Sequence, residues 1–271
     1  MRSHDASCHP ERSEGDHART GPSAALLATA LLVLLASPGA LHAQAAEHIA
    51  DNSFLIEEAY NQEAGVVQHI STFARAEADG SWEYGFTQEW PLGGMRHQLS
   101  YTVALVHPDG VGTGLGDLLL NYRYQALGDG DSPLHVAPRL SLVLPTGSEE
   151  DGRGRGSVGL EGNVPVSLVA SGAFALHSNT GVALDGESGD VDARLGASGI
   201  LRVRRWVNFM LETVWSSEEE DVVLLNPGVR WAFDLVRGLQ VVPGLAYTVA
   251  VGDGGSDALF LYLSFEHPFR R

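Results

Sequence analysis

The stretch Asp117–Ala126, with the sequence DLLLNYRYQA, alternates apolar and polar side chains. One face carries Leu118, Leu120, Tyr122, Tyr124 and Ala126; the other carries Asp117, Asn121, Arg123 and Gln125, with Leu119 among them. Successive side chains of a β-strand point to opposite faces, so this stretch predicts a strand with one apolar and one charged face. A soluble sandwich would turn the apolar face inward, whereas a transmembrane barrel would turn it toward lipid and keep the charges in its lumen.

The same alternation recurs from about residue 66 to residue 269, in segments separated by turns rich in Gly, Asp, Ser or Pro. Twelve strands are predicted, near residues 66–75, 81–92, 96–106, 115–126, 134–145, 157–170, 174–184, 193–204, 207–217, 222–233, 240–251 and 258–269. The first is the weakest, because neither of its faces is cleanly apolar. Prolines also lie inside several segments, although proline is typical of strand edges and bulges.

The connections between these strands sort by length. Those that leave odd-numbered strands are mostly long, acidic or glycine-rich, such as 146–156 (TGSEEDGRGRG), whereas those that leave even-numbered strands are short, except 128–133. Long loops on one side and short turns on the other, with an even strand count, are typical of outer-membrane barrels. We therefore predict an all-β fold, a transmembrane up-and-down antiparallel β-barrel of about 12 strands over residues 65–271. The alternative is an exported soluble β-protein.

The N-terminal residues indicate export. Residues 24–36 (AALLATALLVLLA) form an apolar run of signal-peptide length that is too short to span a bilayer as a helix. Ala43-Gln44-Ala45 then fits a cleavage site. We expect residues 1–45, with an extended n-region, to be a cleaved signal peptide that directs the chain to a Gram-negative-type outer membrane. Residues 46–64 are expected to form a periplasmic N-terminal segment, as a short helix or a plug of the lumen.

Composition and motifs argue against several function classes. The net charge of −17 argues against nucleic acid as a partner, and the single cysteine, Cys8, lies in the expected signal peptide. His177-Ser178 is similar to the active strand of an outer-membrane phospholipase, but adjacent strand residues face opposite sides, so proton transfer between them is not expected. We expect no enzymatic activity, no catalytic residue, no metal site and no cofactor; an outer-membrane lipase is the alternative.

The candidate site residues are the charged and amide side chains of the predicted inward face. Charges are costly at hydrocarbon depth, so their confinement to one face predicts an aqueous or salt-bridged lumen. The expected lumen-lining residues are Glu83, Glu89, Asp117, Arg123, Arg139, Glu161, Asn163, His177, Asn179, Arg194, Arg202, Glu212, Asn226 and Arg230. They either pair across a narrow barrel and hold it shut, or line a path that selects solutes by charge and hydrogen bonding.

Four stretches carry a resemblance to a known family: Ala50–Arg75, Gly114–Leu127 (GLGDLLLNYRYQAL), Ala137–Ser167 and Leu176–Leu184 (LHSNTGVAL). A G-x-G-D strand followed by a P-x-L-x-L-x-L-P-T-G strand and a glycine-rich loop is its most specific part. The chain resembles the outer-membrane barrel family labelled MetA-pathway of phenol degradation, whose members are often described only as transporters.

The resemblance implies an outer-membrane barrel that passes or binds small, often hydrophobic compounds. Together with the alternation, the loop lengths and the signal peptide, it leads us to expect a monomeric outer-membrane channel or transporter for small organic solutes, hydrophobic or aromatic ones among them. The alternative is a closed structural or surface-binding barrel without transport. The expected partners are outer-membrane lipid, a small-molecule solute and the barrel-assembly machinery. That machinery would read the C-terminal strand near Phe269, although Arg270 and Arg271 follow it.

Overall fold

The computed structural model describes residues 53–129, 132–217, 221–235, 238–252 and 255–269, so the expected signal peptide lies outside the described residues. The strands are β1 (Val66–Ala76), β2 (Trp82–Pro91), β3 (His97–His107), β4 (Gly114–Tyr124), β5 (Leu134–Val136), β6 (Arg139–Leu144), β7 (Gly159–Ser171), β8 (Phe174–Asp185), β9 (Val191–Arg204), β10 (Val207–Ser216), β11 (Val222–Trp231), β12 (Phe233–Asp234), β13 (Gln240–Val251) and β14 (Ala258–Pro268). Among these residues, no helix is long and apolar enough to cross a membrane.

The strands close into one antiparallel ring. Apart from the short strands β5 and β12, strands that follow one another along the chain pair with each other, and β1 pairs with β14 to complete the ring. The short strands β5 and β6 share one position in the wall, because both pair with β7 in the same register. In the same way β11 and β12 both pair with β13. The barrel therefore has twelve wall positions, and the predicted barrel of about 12 strands is confirmed.

The break between β5 and β6 falls at Ala137-Pro138. Proline has no N–H to donate to a neighbouring strand. The Pro138 carbonyl still accepts from the Tyr124 N–H at 3.0 Å, and the Ala137 N–H donates to the Pro165 carbonyl at 3.2 Å. The wall thus stays bonded across the interruption.

The outer face of the wall is apolar. On β10, Phe209 and Leu211 are 51% and 57% exposed. Met210, which lies between them, and Glu212, which follows Leu211, are buried. Other apolar side chains exposed on the outer face are Leu120, Tyr122, Leu140, Leu160, Leu195, Leu201, Leu245, Leu261 and Leu263. An exposed apolar face of this extent on a closed ring is typical of a barrel wall in contact with lipid.

Aromatic side chains mark both ends of the wall between β2 and β4. Trp82 stacks on His107 with ring centroids 5.3 Å apart, at the end of the barrel that carries the long loops. His97 lies near Tyr122 and Tyr124, at 6.0 Å and 5.4 Å, at the end that carries the short turns. Such aromatic girdles border the apolar band of membrane barrels.

Candidate functional site

Residues 53–64, here called the lumen segment, precede β1 and lie inside the barrel. They form no helix and no strand. Ser53, Ile56, Ala59 and Asn61 are each 6% exposed or less, because the barrel wall surrounds them. The segment joins β1 through Gly65, whose φ of 86° lies in the left-handed region that favours glycine.

Glu212 on β10 binds the start of the described segment. The N–H groups of residues 54, 55 and 56 donate to its Oε1 at 2.9, 3.0 and 3.2 Å. The other oxygen, Oε2, accepts from Asn226 Nδ2 at 2.6 Å, and Asn226 Oδ1 accepts from Thr248 Oγ1 at 2.9 Å. Successive backbone N–H groups that converge on one anionic oxygen form an anion-binding nest, so the nest fixes this end of the segment to the wall.

Arg123 on β4 binds the other end. Its guanidinium donates to Asn61 Oδ1 at 2.9 Å, to the Glu58 carbonyl at 3.3 Å and to the Tyr60 carbonyl. It also lies 3.8 Å from a carboxylate oxygen of Glu89. Arg123 therefore satisfies three acceptors of the lumen segment at once, in a buried position where each acceptor needs a partner.

The middle of the segment is held by β6 and β8. Asn179 makes two bonds with the backbone of Glu57, donating to its carbonyl at 2.7 Å and accepting from its N–H at 2.8 Å. Asn163 donates to the same Asn179 oxygen at 3.2 Å. The Glu57 carboxylate pairs with Arg139 at 2.8 Å, and Glu161 lies 3.8 Å from Arg139 on the wall.

His177 on β8 takes part through Ser167, its direct neighbour across the β7–β8 pair. Ser167 Oγ lies 2.7 Å from His177 Nδ1 and accepts from the Ala59 N–H at 2.7 Å. Tyr60 packs edge-on against His177 and His135, with centroid distances of 6.0 Å and 4.7 Å. Ser167 and His177 are 0% and 2% exposed beneath the segment, so no solute reaches the pair in this arrangement.

The remaining predicted residues lie toward the two ends of the barrel wall. Asp117 accepts from the N–H groups of Gly147 and Arg155 at 3.0 Å and 2.8 Å, and so fixes the long loop 145–158. Arg230 is buried on β11. Glu83 and Arg194 are exposed near the long-loop ends of β2 and β9, and Arg202 donates to the Gly172 carbonyl at 3.3 Å near a short turn. That the predicted set as a whole forms a solute path stays a prediction.

Two cavities flank the segment. A cavity of about 800 Å³ lies on the short-turn side, and its lining includes Glu58, Glu63, Arg96, Asp129, Asp234 and Glu266. A smaller one of about 180 Å³ lies between the segment and the wall, and its lining includes Phe54, Thr72, Thr87, Asn121, Arg139 and Tyr262. Because Glu58 lines both, this residue stands where the segment separates the two spaces.

Glu58 lies ahead of the first strand, in the lumen segment. Burial raises the pKa of its carboxyl group from 4.5 to about 7; the Arg123 charge lowers it and the Glu89 charge raises it further. Burial disfavours the charged form of a carboxyl group. The docked segment therefore favours protonated Glu58 over the ionised form.

One part of the lumen wall is apolar, which the sequence analysis missed. Ala232, Val242, Ala246, Phe260 and Tyr262 form a buried cluster, and Phe54 and Leu55 of the segment pack against it. The signal was available in β14, whose stretch ALFLYLSF carries apolar side chains on both faces. Ser167 was also missed, although strand alternation places it on the inward face beside His177.

Within the described chain, no group of three or more His, Cys, Asp or Glu residues is arranged to hold a metal ion. The geometry instead presents a closed antiparallel barrel with an apolar outer wall, a largely polar lumen and its own N-terminal segment inside. These features define the class of outer-membrane-type β-barrels.

The family match is more specific. The model of the family described as the MetA-pathway of phenol degradation matches residues 50–234, more than half of the chain, and the chain belongs to this family. The match includes the whole lumen segment and ends at β12. No curated protein matches the chain.

Solved structures share the fold. An outer membrane channel from Pseudomonas putida F1 is 13% identical, with a TM-score of 0.56 over 77% of this chain and 97% of that one. The KdgM porin is 7% identical, with a TM-score of 0.52 over 75% and 99% of the two chains. The NanC porin is 10% identical, with a TM-score of 0.50 over 75% and 100%. At these identities the likeness shows the fold alone.

Proposed function

We propose that this protein is an outer-membrane channel for small organic solutes, that the lumen segment closes it, and that it opens when the segment leaves the lumen. The observation that carries the proposal is the way the segment is held. It crosses the lumen on hydrogen bonds from its backbone to wall side chains, above all those of Glu212, Arg123 and Asn179.

Such contacts can be exchanged for water. A hydrogen bond contributes only about 0.5–1.5 kcal/mol net between neutral groups and about 1.5–3 kcal/mol when one partner is charged, because water replaces the lost partner. The segment also lies ahead of β1, so its departure breaks none of the strand pairs that close the barrel. A lumen without the segment would be lined by Glu89, Arg123, Arg139 and other side chains that hydrate readily, which suits an aqueous path.

The neighbouring folds support the same class of function. The outer membrane channel and the two porins described above are pore-forming proteins by their names, and their barrels cover three quarters or more of this chain. We place the protein in the outer membrane, with the short turns in the periplasm, and expect residues 1–45 to direct its export. The barrel-assembly machinery would then read β14 near Phe269. We expect solute passage without enzymatic turnover.

Planar-bilayer recording tests the proposal. The refolded chain that begins at residue 46 is compared with a variant that begins at residue 65 and lacks the segment. The full mature chain should conduct in brief openings, and the shortened chain should conduct steadily and pass small organic solutes into liposomes. Heat-modifiable migration on gels verifies that both barrels are folded. A folded shortened barrel that neither conducts nor passes solutes would overturn the channel and favour a closed structural or surface-binding barrel.

A further inference from the structure

Phe54 inserts its ring into an aromatic recess of the lumen wall. The ring centroid lies 5.5 Å from that of Phe260 and 5.2 Å from that of Tyr262, with interplanar angles of 34° and 38°. Both partners stand on β14, face the lumen and are about 5% exposed. Centroid distances of 4.5–7 Å are those at which aromatic rings attract each other.

Two glycines make the space for this ring. A Cβ atom at Gly228 on β11 would lie 2.7 Å from Cε2 of Phe54, and one at Gly244 on β13 would lie 2.4 Å from its Cζ. Neither glycine has a positive φ, so the backbone conformation does not require glycine at these positions. What both lack is a side chain, and the missing side chains leave a slot the size of one ring. We call the recess between Gly228, Gly244, Phe260 and Tyr262 the ring slot.

The ring slot departs from the usual chemistry of a barrel lumen. Lumens of membrane barrels are polar, because they hold water or salt bridges. Here the slot continues into the buried apolar side chains of Ala232, Val242 and Ala246. When the lumen segment leaves, this patch and two aromatic rings would face water without Phe54. A concave apolar surface with a few polar groups beside it is the usual form of a small-molecule site.

The polar groups lie in the smaller cavity. This space of about 180 Å³ shares Phe54 and Tyr262 with the ring slot. It is also lined by the neutral Thr72, Thr87 and Asn121 and by charged side chains, Glu89 and Arg123 among them. Hydroxyl and amide side chains in such a position can donate to or accept from a substituent on a bound ring.

We propose that the ring slot is a binding site for a monocyclic aromatic solute with a polar substituent, and that Phe54 occupies it in the closed barrel. The solute and the lumen segment then compete for one site. Binding of the solute displaces Phe54 and weakens the docking of the segment, which couples the arrival of a solute to opening. This last step rests on the proposed channel function, whereas the binding site itself does not.

Binding of 4-fluorobenzyl alcohol, followed by ¹⁹F NMR in detergent micelles, tests the site without any measurement of transport. Phe54→Ala removes the competitor and should bind the probe about tenfold more tightly than the wild type, because the fraction of competent sites rises. Phe209→Ala is the matched control, since it removes the same kind of ring from the outer face of β10, where Phe209 is 51% exposed and does not touch the lumen segment. It should bind the probe within about threefold of the wild type.

The double variant Phe54→Ala/Gly244→Leu fills the slot with the leucine side chain, so it should lose the tenfold increase in probe affinity that Phe54→Ala gives. Unlabelled benzyl alcohol should displace the probe, and cyclohexylmethanol, which has the same size but is not planar, should not. The ring slot would be overturned if Phe54→Ala binds the probe no more tightly than Phe209→Ala, or if the folded double variant still binds it as tightly as Phe54→Ala does. If the chain that begins at residue 65 does not conduct but the probe binds as described, the channel proposal is refuted and the ring-slot proposal is supported.

Discussion

Removal of the Glu212 carboxylate should open the barrel. Glu212→Ala deletes the acceptor of three backbone N–H groups at residues 54–56, at 2.9–3.2 Å. It leaves the β10 pairs with β9 and β11 in place, because those are backbone bonds. The substitution therefore acts on the docking of the lumen segment more than on the wall.

The size of the effect follows from the geometry. A hydrogen bond to a charged group contributes about 1.5–3 kcal/mol. The three N–H groups share one oxygen, so we assign about 3 kcal/mol to the set and not three separate bonds. At about 1.4 kcal/mol per factor of ten, the ratio of undocked to docked segment should rise about a hundredfold. Glu212→Gln keeps a carbonyl oxygen and loses the charge, and its effect should be about tenfold smaller.

Single-channel recording measures this ratio as open to closed time, with the chain that begins at residue 65 as the fully open reference. The matched control is Glu83→Ala, another inward carboxylate, which has no hydrogen bond or ion pair with the lumen segment among the bonds of the described residues. It should leave the ratio unchanged. The reasoning is refuted if Glu212→Ala stays within twofold of the wild type in a folded barrel, or if Glu83→Ala opens the barrel equally.

Two further predictions concern other contacts of the segment. Because the docked state raises the pKa of Glu58 to about 7, docking is strongest below about pH 4.5 and weakens as the pH rises through 7. The open fraction of channels should therefore grow between about pH 5 and 8. A Glu58→Gln variant whose open fraction changes with pH in the same way would contradict this prediction. A Cβ atom at Gly196 would lie 2.2 Å from Cδ1 of Ile56, so Gly196→Leu should raise the open-to-closed ratio about tenfold, from the 1–3 kcal/mol typical of overpacking. Gly162→Leu, where the added Cβ meets Val182 at 3.8 Å, is the control that should leave the ratio unchanged.

The barrel was predictable because alternate residues of a strand face opposite sides, so the alternation of apolar and polar residues in the sequence shows both the strands and their apolar face. The strand predicted at 207–217 spans Val207–Ser216, whereas the strand predicted at 134–145 is interrupted at Ala137-Pro138 and forms β5 and β6. The other prolines inside the predicted strands interrupt none of them. Pro165, Pro227 and Pro243 each lie within a strand and have a partner residue opposite. The wall tolerates them because each N–H that proline lacks removes only one bond of a long ladder.

The path of residues 53–64 was not predictable in this way. The segment docks mainly through backbone groups. Because nearly every residue type carries a backbone N–H, the sequence does not show which residues of the segment bind the wall. Its first partner, Glu212, is 158 residues away from Phe54, and no spacing pattern joins the two. The apolar part of the lumen was missed for another reason. Because lumens are usually polar, only charged, amide and histidine side chains were predicted to line this one, so the inward-facing Phe260 and Tyr262 were left out.

Gly65 joins the lumen segment to β1 without a linker, and this has a kinetic consequence. The blocking element is part of the same chain, so every barrel carries one copy and reclosure is a unimolecular step at a high effective concentration. Rotation about the Gly65 backbone, which has φ of 86° in the closed barrel, is enough to swing the segment while β1 stays paired with β2 and β14. Openings should thus end at a rate that depends on neither protein concentration nor any soluble partner.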